Sequence, residues 1–191
     1  MVVYMKNKKY IYIILIFMGF LLVAGGTYSL WVWRSTDAQK TAVTFTITAG
    51  FTCSADGGGN ISSNDVKLAP AKCTDSQYAI KRTVTTNATI NDSPASMNLW
   101  LNVDHIDSAL ANSANFKYAL TTSASSCTDG VQSSGTFTGK NDTDTVDILT
   151  DKKYTQTGSN TYYLYIWLDE AEENINTMNK TFSFSIGGEC T

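Results

Sequence analysis

Apolar and hydroxyl-bearing side chains alternate along most of this chain, and this period of two residues limits its fold more than any other feature. In residues 43–48, Val43, Phe45 and Ile47 alternate with three threonines, and residues 182–186 repeat the pattern near the C-terminal end. Successive side chains of a β-strand point to opposite faces, so the alternation is typical of half-buried strands. Apolar residues at helical spacing are hard to find. The sequence therefore predicts an all-β domain.

Further strand-like runs lie between these two. They span residues 78–90, 96–103, 116–122, 135–139, 146–149 and 162–168. Turn-rich segments separate them at residues 56–60, 91–94 and 158–160. Seven or more short strands with turns between them predict an antiparallel β-sandwich over residues 42–191. Within it, residues 54–64 are typical of a surface loop, residues 104–112 indicate a short helical turn, and residues 169–178 indicate a loop or a helical turn.

An uncharged segment of 24 residues, at positions 10–33, follows three lysines near the N-terminus. Its length is enough to span a bilayer, but its strongly apolar part covers only about 15 residues, which is the length of a signal-peptide h-region. Thr27 and Ser29 occupy the −3 and −1 positions of a cleavage site after Ser29. Residues 1–29 are therefore a signal peptide, which the short apolar part favours, or a retained apolar helix that anchors the chain in a membrane. Both alternatives export the rest of the chain, because the lysines stay on the cytoplasmic side.

The exported part is acidic. After cleavage it would hold 11 Lys and Arg against 17 Asp and Glu, a formal net charge of −6. An acidic domain repels phosphate backbones, so nucleic acid is excluded as an expected partner.

Four cysteines, Cys53, Cys73, Cys127 and Cys190, lie in the exported part. Outside the cytoplasm they are expected to form two disulfides, for which three pairings exist. We favour Cys53–Cys73 with Cys127–Cys190, because the first of these bonds closes a short Gly-, Ser- and Asn-rich segment. Zinc is disfavoured, since the chain has no C-x-x-C spacing and a single histidine.

The sequence does not indicate an enzyme. Its one histidine, His105, has Asp104 and Asp107 close by in the sequence. Asp104, its direct neighbour, would point to the opposite face of a strand and is a poor partner for the imidazole. No G-x-S-x-G elbow is present. We expect His105 to be an ordinary surface or turn residue.

Two acidic segments are weak candidates for calcium binding, because calcium takes six to eight oxygen ligands. One contains Asp142, Asp144 and Asp147, and the other spans residues 169–174. Neither matches an EF-hand loop or a calcium-binding repeat. The pattern favours solvated acidic loops, and we expect no metal and no cofactor.

Residues 162–168 are apolar or aromatic on both faces of the predicted strand. Three interpretations remain open: another element of the same domain covers the second face, a subunit contacts it, or a glycan stacks on it. The first is favoured, because a strand that is apolar on both faces is normally covered on both.

The junction around Ser29 carries a family resemblance. After the basic cluster and the apolar run come Gly25-Gly26-Thr27-Tyr28-Ser29, then Asp37, and then Thr44-Phe45-Thr46-Ile47-Thr48-Ala49-Gly50. Over roughly the first 50 residues this order resembles the TasA/camelysin class of exported proteins. The resemblance implies cleavage after the small residue by a dedicated signal peptidase, a jelly-roll β-sandwich, and assembly into surface or biofilm-matrix fibres.

Cleavage after Ser29 would free an apolar segment, Leu30, Trp31, Val32 and Trp33, at the start of residues 30–41. A sandwich exposes strand edges, and such an edge can accept an extended segment from a neighbouring copy. We therefore expect a self-assembling structural subunit at the cell surface or in the extracellular matrix. The alternative is a membrane-anchored, adhesin-like module that recognises a glycan or a host protein through its loops. In that case Trp31 and Trp33 would lie at the membrane interface.

Overall fold

The computed structural model describes residues 43–46, 51–91 and 94–191. The expected signal peptide or anchor at residues 1–29, with its cleavage positions Thr27 and Ser29, lies outside the described residues. So does the segment 30–41, with Leu30 to Trp33. Within the described ranges, no helix has both the length and the apolar character needed to cross a membrane.

Strands make up most of the described chain. They are β1 (Val43–Thr46), β2 (Phe51–Asp56), β3 (Ile61–Ser62), β4 (Pro70–Ala71), β5 (Ala79–Ile90), β6 (Ala95–Ile106), β7 (Phe116–Thr121), β8 (Val131–Thr136), β9 (Thr145–Tyr154), β10 (Gly158–Asp169) and β11 (Phe182–Cys190). A four-residue helix, α1 (Ser108–Ala111), follows β6, and its N-cap Asp107 accepts a hydrogen bond from the Ala109 N–H at 2.9 Å. A 3₁₀ turn spans Ile175–Thr177. The helical turn expected within residues 104–112 is thus present in a shorter form.

The strands form two sheets. Sheet A has seven strands in the order β1-β2-β5-β10-β7-β8, with β4 also paired to β10. Sheet B has four strands in the order β3-β11-β6-β9. The β4–β10 pair is parallel, and the other described pairs are antiparallel. The all-β, mostly antiparallel sandwich predicted from the sequence is confirmed.

One core cluster fills the space between the sheets. Alternate residues of β10 and β11 point into it, namely Tyr162, Leu164, Ile166, Leu168, Phe182, Phe184 and Ile186. Phe137 stacks on Phe184 with the ring centroids 4.6 Å apart, and lies 4.8 Å from the ring of Phe116. Aromatic rings bury large apolar areas, so this cluster supplies much of the free energy that holds the two sheets together.

A second, smaller cluster lies on the outer face of sheet A. Tyr165 and Trp167 of β10 are buried there together with Ala79 and Ala119. The Cys73–Cys127 disulfide joins the two loops that cover them. The second face of the aromatic strand is therefore covered by the same domain at Tyr165 and Trp167, as the favoured interpretation of residues 162–168 predicted, while Tyr163 stays partly exposed.

The disulfide pairing favoured from the sequence is wrong. The bonds are Cys53–Cys190 and Cys73–Cys127. Cys53 on β2 and Cys190 on β11 both point into the core from opposite sheets, whereas Cys73 lies over the outer face of sheet A. Sheet packing, and not the shortness of the intervening chain, decides which cysteines meet.

Three local predictions also need correction. Residues 54–64 are not one loop, because residues 54–56 end β2 and Ile61–Ser62 form β3. Gly158 begins β10 and does not lie in a turn, and β8 ends before most of the predicted strand at residues 135–139. Residues 54–64 and 158–160 are poor in strand-forming residues, and pairing with a neighbouring strand overrides their weak local preference. After β8 the chain turns, and Gly139 adopts a φ of +75° there.

Candidate functional site

Strand β5 has neighbours on both sides along only residues 85–88, a third of its length. β10 pairs with residues 79–88 of β5, whereas β2 pairs only with residues 85–90 on the other side. In the described part of the chain, no strand pairs with residues 79–84 on the side away from β10. We call these six residues the open edge. An unpaired edge presents backbone N–H and C=O groups that can receive another strand.

The local sequence explains why β2 stops halfway. Its last residue, Asp56, lies opposite Thr85, and its carboxylate accepts a hydrogen bond from the Gly58 N–H at 3.0 Å. Gly58 and Gly59 then adopt φ values of +76° and +87°, which side-chain-bearing residues rarely adopt. The chain turns away from sheet A at this point and pairs with β11 as β3.

A cavity of about 440 Å³ adjoins the open edge. Ala79, Ile80 and Tyr165 supply apolar parts of its lining, and the Cys73–Cys127 bond places Cys73 at its wall. The Tyr165 hydroxyl donates a hydrogen bond to the Ser123 carbonyl at 3.1 Å, which ties the covering loop to sheet A. Burial, and then the neighbouring Tyr163, raises the pKa of Tyr165.

Two cations line the same cavity. Arg82 forms an ion pair with Asp65 at 3.0 Å, yet its Nε is buried and has no hydrogen-bond partner among the described residues. Lys81 donates to the Ala124 carbonyl at 2.9 Å and lies 5.7 Å from the ring centroid of Tyr163. A buried N–H without an acceptor costs free energy.

His105 lies outside this cavity, and the structure gives it partners that are distant in sequence. Its Nδ1 is 3.2 Å from Asp142 Oδ2, and its Nε2 is 3.1 Å from Thr181 Oγ1. Hydrogen bonds from the Ile106 N–H and from His105 lower the pKa of Asp142. The imidazole and the carboxylate are each about half exposed, at 48% and 51%. We interpret this chain of contacts as a surface link between β6, the turn at Asp142 and the start of β11.

The three aspartates considered for calcium binding do not form one cluster of ligands. Asp142 contacts Ile106 and His105, and Asp144 accepts a hydrogen bond from the Asn141 N–H at 2.8 Å. Asp147 lies on β9. Across the described ranges, no group of three or more His, Cys, Asp or Glu side chains is placed to hold a metal ion.

Side chains of the second acidic segment, residues 169–174, also form contacts within the domain. Asp169 forms an ion pair with Lys117 at 3.0 Å, and Glu172 accepts hydrogen bonds from Ser113 and from the Asn174 N–H.

Sequence reasoning missed the open edge. One signal was present, because Lys81 and Arg82 are the only charged residues of β5. Charged side chains in a strand commonly mark an unpaired edge.

Comparison of the chain with protein-family models, with curated proteins and with solved structures found no match.

Proposed function

We propose that the protein is an exported structural subunit of a cell-surface or biofilm-matrix fibre, in which residues 30–34 of one copy pair with the open edge of the next copy. The observation that carries the proposal is the unpaired stretch of β5 beside a cavity of about 440 Å³. A strand added there would continue sheet A where β2 leaves it. Assembly by strand addition gains main-chain hydrogen bonds along the edge and specificity from the side-chain pockets.

The lengths of the two segments agree. A strand rises about 3.3 Å per residue, so a donor of five residues covers about 17 Å of an edge. The open edge offers six residues, of which Ala79, at its start, already donates its N–H to the Asp75 carbonyl at 2.8 Å. In an extended donor, Trp31 and Trp33 face one side, and Leu30 and Val32 face the other. Both faces of the donor are therefore apolar, which suits an edge that has the domain core on one side and the covering loops on the other.

Export is part of the same proposal. Two disulfides suit an oxidising compartment outside the cytoplasm. Removal of residues 1–29 as a signal peptide would place the donor segment at the new N-terminus. Jelly-roll connectivity, which the family resemblance implies, also belongs to this proposal.

Electron microscopy of the purified mature chain tests the proposal, with mass spectrometry of the native N-terminus as its companion. We expect a mature chain that begins at Leu30 and forms fibres. Trp31→Lys combined with Trp33→Lys should abolish the fibres while leaving the domain folded, because it removes both indoles and brings two further cations to a cavity that Lys81 and Arg82 already line. Ser35→Lys with Thr36→Lys adds the same charge outside residues 30–34 and should leave assembly intact. A native chain that starts at Met1, or fibres that persist in the tryptophan variant, would refute strand donation.

A further inference from the structure

Trp100 lies at the centre of the outer face of sheet B. It sits on β6 directly opposite Gly187 of β11 on one side and Asp147 of β9 on the other. A Cβ at Gly187 would lie 2.4 Å from the Trp100 Nε1 and 2.8 Å from its Cε2. The indole therefore lies over the backbone of β11, and only glycine leaves room for it there. One side of the ring rests on the sheet, and the residue remains partly exposed.

Hydrogen bonds hold the indole in place. Its Nε1 donates to Asn102 Oδ1 at 2.9 Å, and the amide of Asn102 donates to the Ser185 hydroxyl at 3.4 Å. The Ser185 hydroxyl in turn donates to Asp104 Oδ1 at 3.1 Å. Because the polar N–H of the ring is already satisfied, the exposed part of the indole is left for apolar contact, and its orientation is fixed before any ligand arrives.

A shallow groove of about 480 Å³ runs beside the ring. Asn98, Thr145, Asp147, Thr150 and Glu189 line it together with Trp100. The side chains of Thr145, Asp147 and Thr150 are exposed, so their polar atoms are accessible to a ligand in the groove. The lining carries two carboxylates and no cationic side chain. Its volume is within the range of about 300–1,000 Å³ that is usual for small-ligand sites.

We propose that this groove binds a polysaccharide of neutral or amino pyranoses, stacked on Trp100. The C–H face of a pyranose carries partial positive charge and packs on the negative face of an aromatic ring. The hydroxyl or amino groups at the rim of the sugar then donate to the carboxylates and amides around the indole. The same two carboxylates repel acidic sugars. The site is separate from the open edge, so the proposal stands independently of fibre assembly.

Titration calorimetry of the full chain, kept in solution with a sugar-free detergent, tests the site with three oligosaccharides. The probes are cellohexaose, the glucosamine hexamer and a galacturonic acid hexamer. We expect binding of cellohexaose, of the glucosamine hexamer or of both, and none of the acidic probe. Binding of cellohexaose would identify a neutral polymer as the ligand class. Binding of the glucosamine hexamer alone would identify an amino polymer.

Two variants and a control decide the role of Trp100. Trp100→Ala should weaken binding by at least about tenfold, which is the effect of losing a central aromatic contact. Asp147→Ala changes an exposed side chain and should weaken binding as well, which keeps the test valid if Trp100→Ala folds poorly. Tyr163→Ala removes a partly exposed aromatic ring from the outer face of sheet A and should leave affinity unchanged. Failure of both non-acidic probes to bind would overturn the proposal. Wild-type affinity in both the Trp100 and the Asp147 variants would overturn it as well.

Discussion

Cys53 on β2 and Cys190 on β11 form a disulfide that joins the two sheets across 137 residues of sequence. Both side chains belong to the main core cluster. The bond therefore connects sheet A to the last strand of sheet B. A crosslink that closes a long loop restricts the unfolded chain more than one that closes a short loop.

Replacement of this pair, Cys53→Ala with Cys190→Ala, should lower the free energy of unfolding by about 2–5 kcal/mol. Urea denaturation followed by circular dichroism measures the change. Mass spectrometry of unreduced proteolytic fragments provides the accompanying check, and we expect a peptide that links Cys53 to Cys190. A peptide that links Cys53 to Cys73 would contradict this disulfide and the sheet packing that produces it.

The Cys73–Cys127 bond should act locally. It joins the loops over Tyr165 and Trp167, so Cys73→Ala with Cys127→Ala should loosen these loops and expose the two rings while the core stays intact. We expect a red shift of tryptophan emission and increased binding of a hydrophobic dye, with retained far-ultraviolet circular dichroism. Unchanged emission and dye binding would show that the loops stay in place without the bond.

The regular strands could be predicted from the sequence because their alternation reflects which face is buried. Residues 182–186 fall inside β11, and residues 96–103 fall inside β6. In each case one set of alternate residues lies in the core. The alternation cannot give the order of strands within a sheet, since residues of similar pattern can pair with several neighbours.

The candidate site could not be derived for the same reason. The open edge exists because β2 ends opposite Thr85 while β5 starts six residues earlier, at Ala79. Only the pairing registers reveal this difference. The Trp100 groove also depends on register, because the sequence does not show that Gly187 lies beside the indole. Local patterns predict elements, whereas these sites arise from contacts between elements.

Asp169 should contribute a pH-dependent part of the stability. Burial opposes the charged form, but hydrogen bonds from the Ala171 N–H and from Lys117 outweigh it and lower the pKa of Asp169. A carboxyl group whose pKa is lower in the folded state stabilises the fold above its unfolded pKa of about 3.9. That contribution is lost as the pH falls through the lower, folded value.

Asp169→Asn should therefore lower the melting temperature at pH 6, and the difference from the wild type should shrink as the pH falls below about 4. The partly exposed ion pair limits the loss at pH 6 to about 1 kcal/mol. Thermal melts between pH 2 and pH 6 measure both effects. Glu170→Gln removes the adjacent, exposed carboxylate and should change little. A difference that stays constant over the whole pH range would show that the charge of Asp169 does not stabilise the fold.

A hydrogen-bonded group lies between β5, β9 and β10. The buried hydroxyl of Thr86 contacts the Tyr154 hydroxyl at 2.5 Å, and the Asn160 amide donates to the same tyrosine oxygen at 2.9 Å. Thr86→Val should cost about 1–2 kcal/mol, because it removes one partner from a buried polar group. Thr89→Val, at an exposed position on the same strand, should cost less than about 0.5 kcal/mol. Equal losses at the two positions in urea denaturation would argue against a role for this contact.

Tyr162 and Tyr154 provide a matched pair of buried tyrosines with different bonding. The Tyr162 hydroxyl has no hydrogen-bond partner among the described residues, and burial together with Tyr154 raises its pKa to about 12. Removing an unpaired buried hydroxyl relieves its desolvation cost. Removing the Tyr154 hydroxyl leaves the Asn160 amide without its acceptor and leaves Thr86 only its contact with the Asn160 carbonyl at 3.3 Å. Tyr162→Phe should therefore leave the free energy of unfolding unchanged or raise it, and Tyr154→Phe should lower it by about 1–2 kcal/mol. Urea denaturation of the two variants under identical conditions distinguishes them, and a larger loss for Tyr162→Phe would show that its hydroxyl is bonded after all.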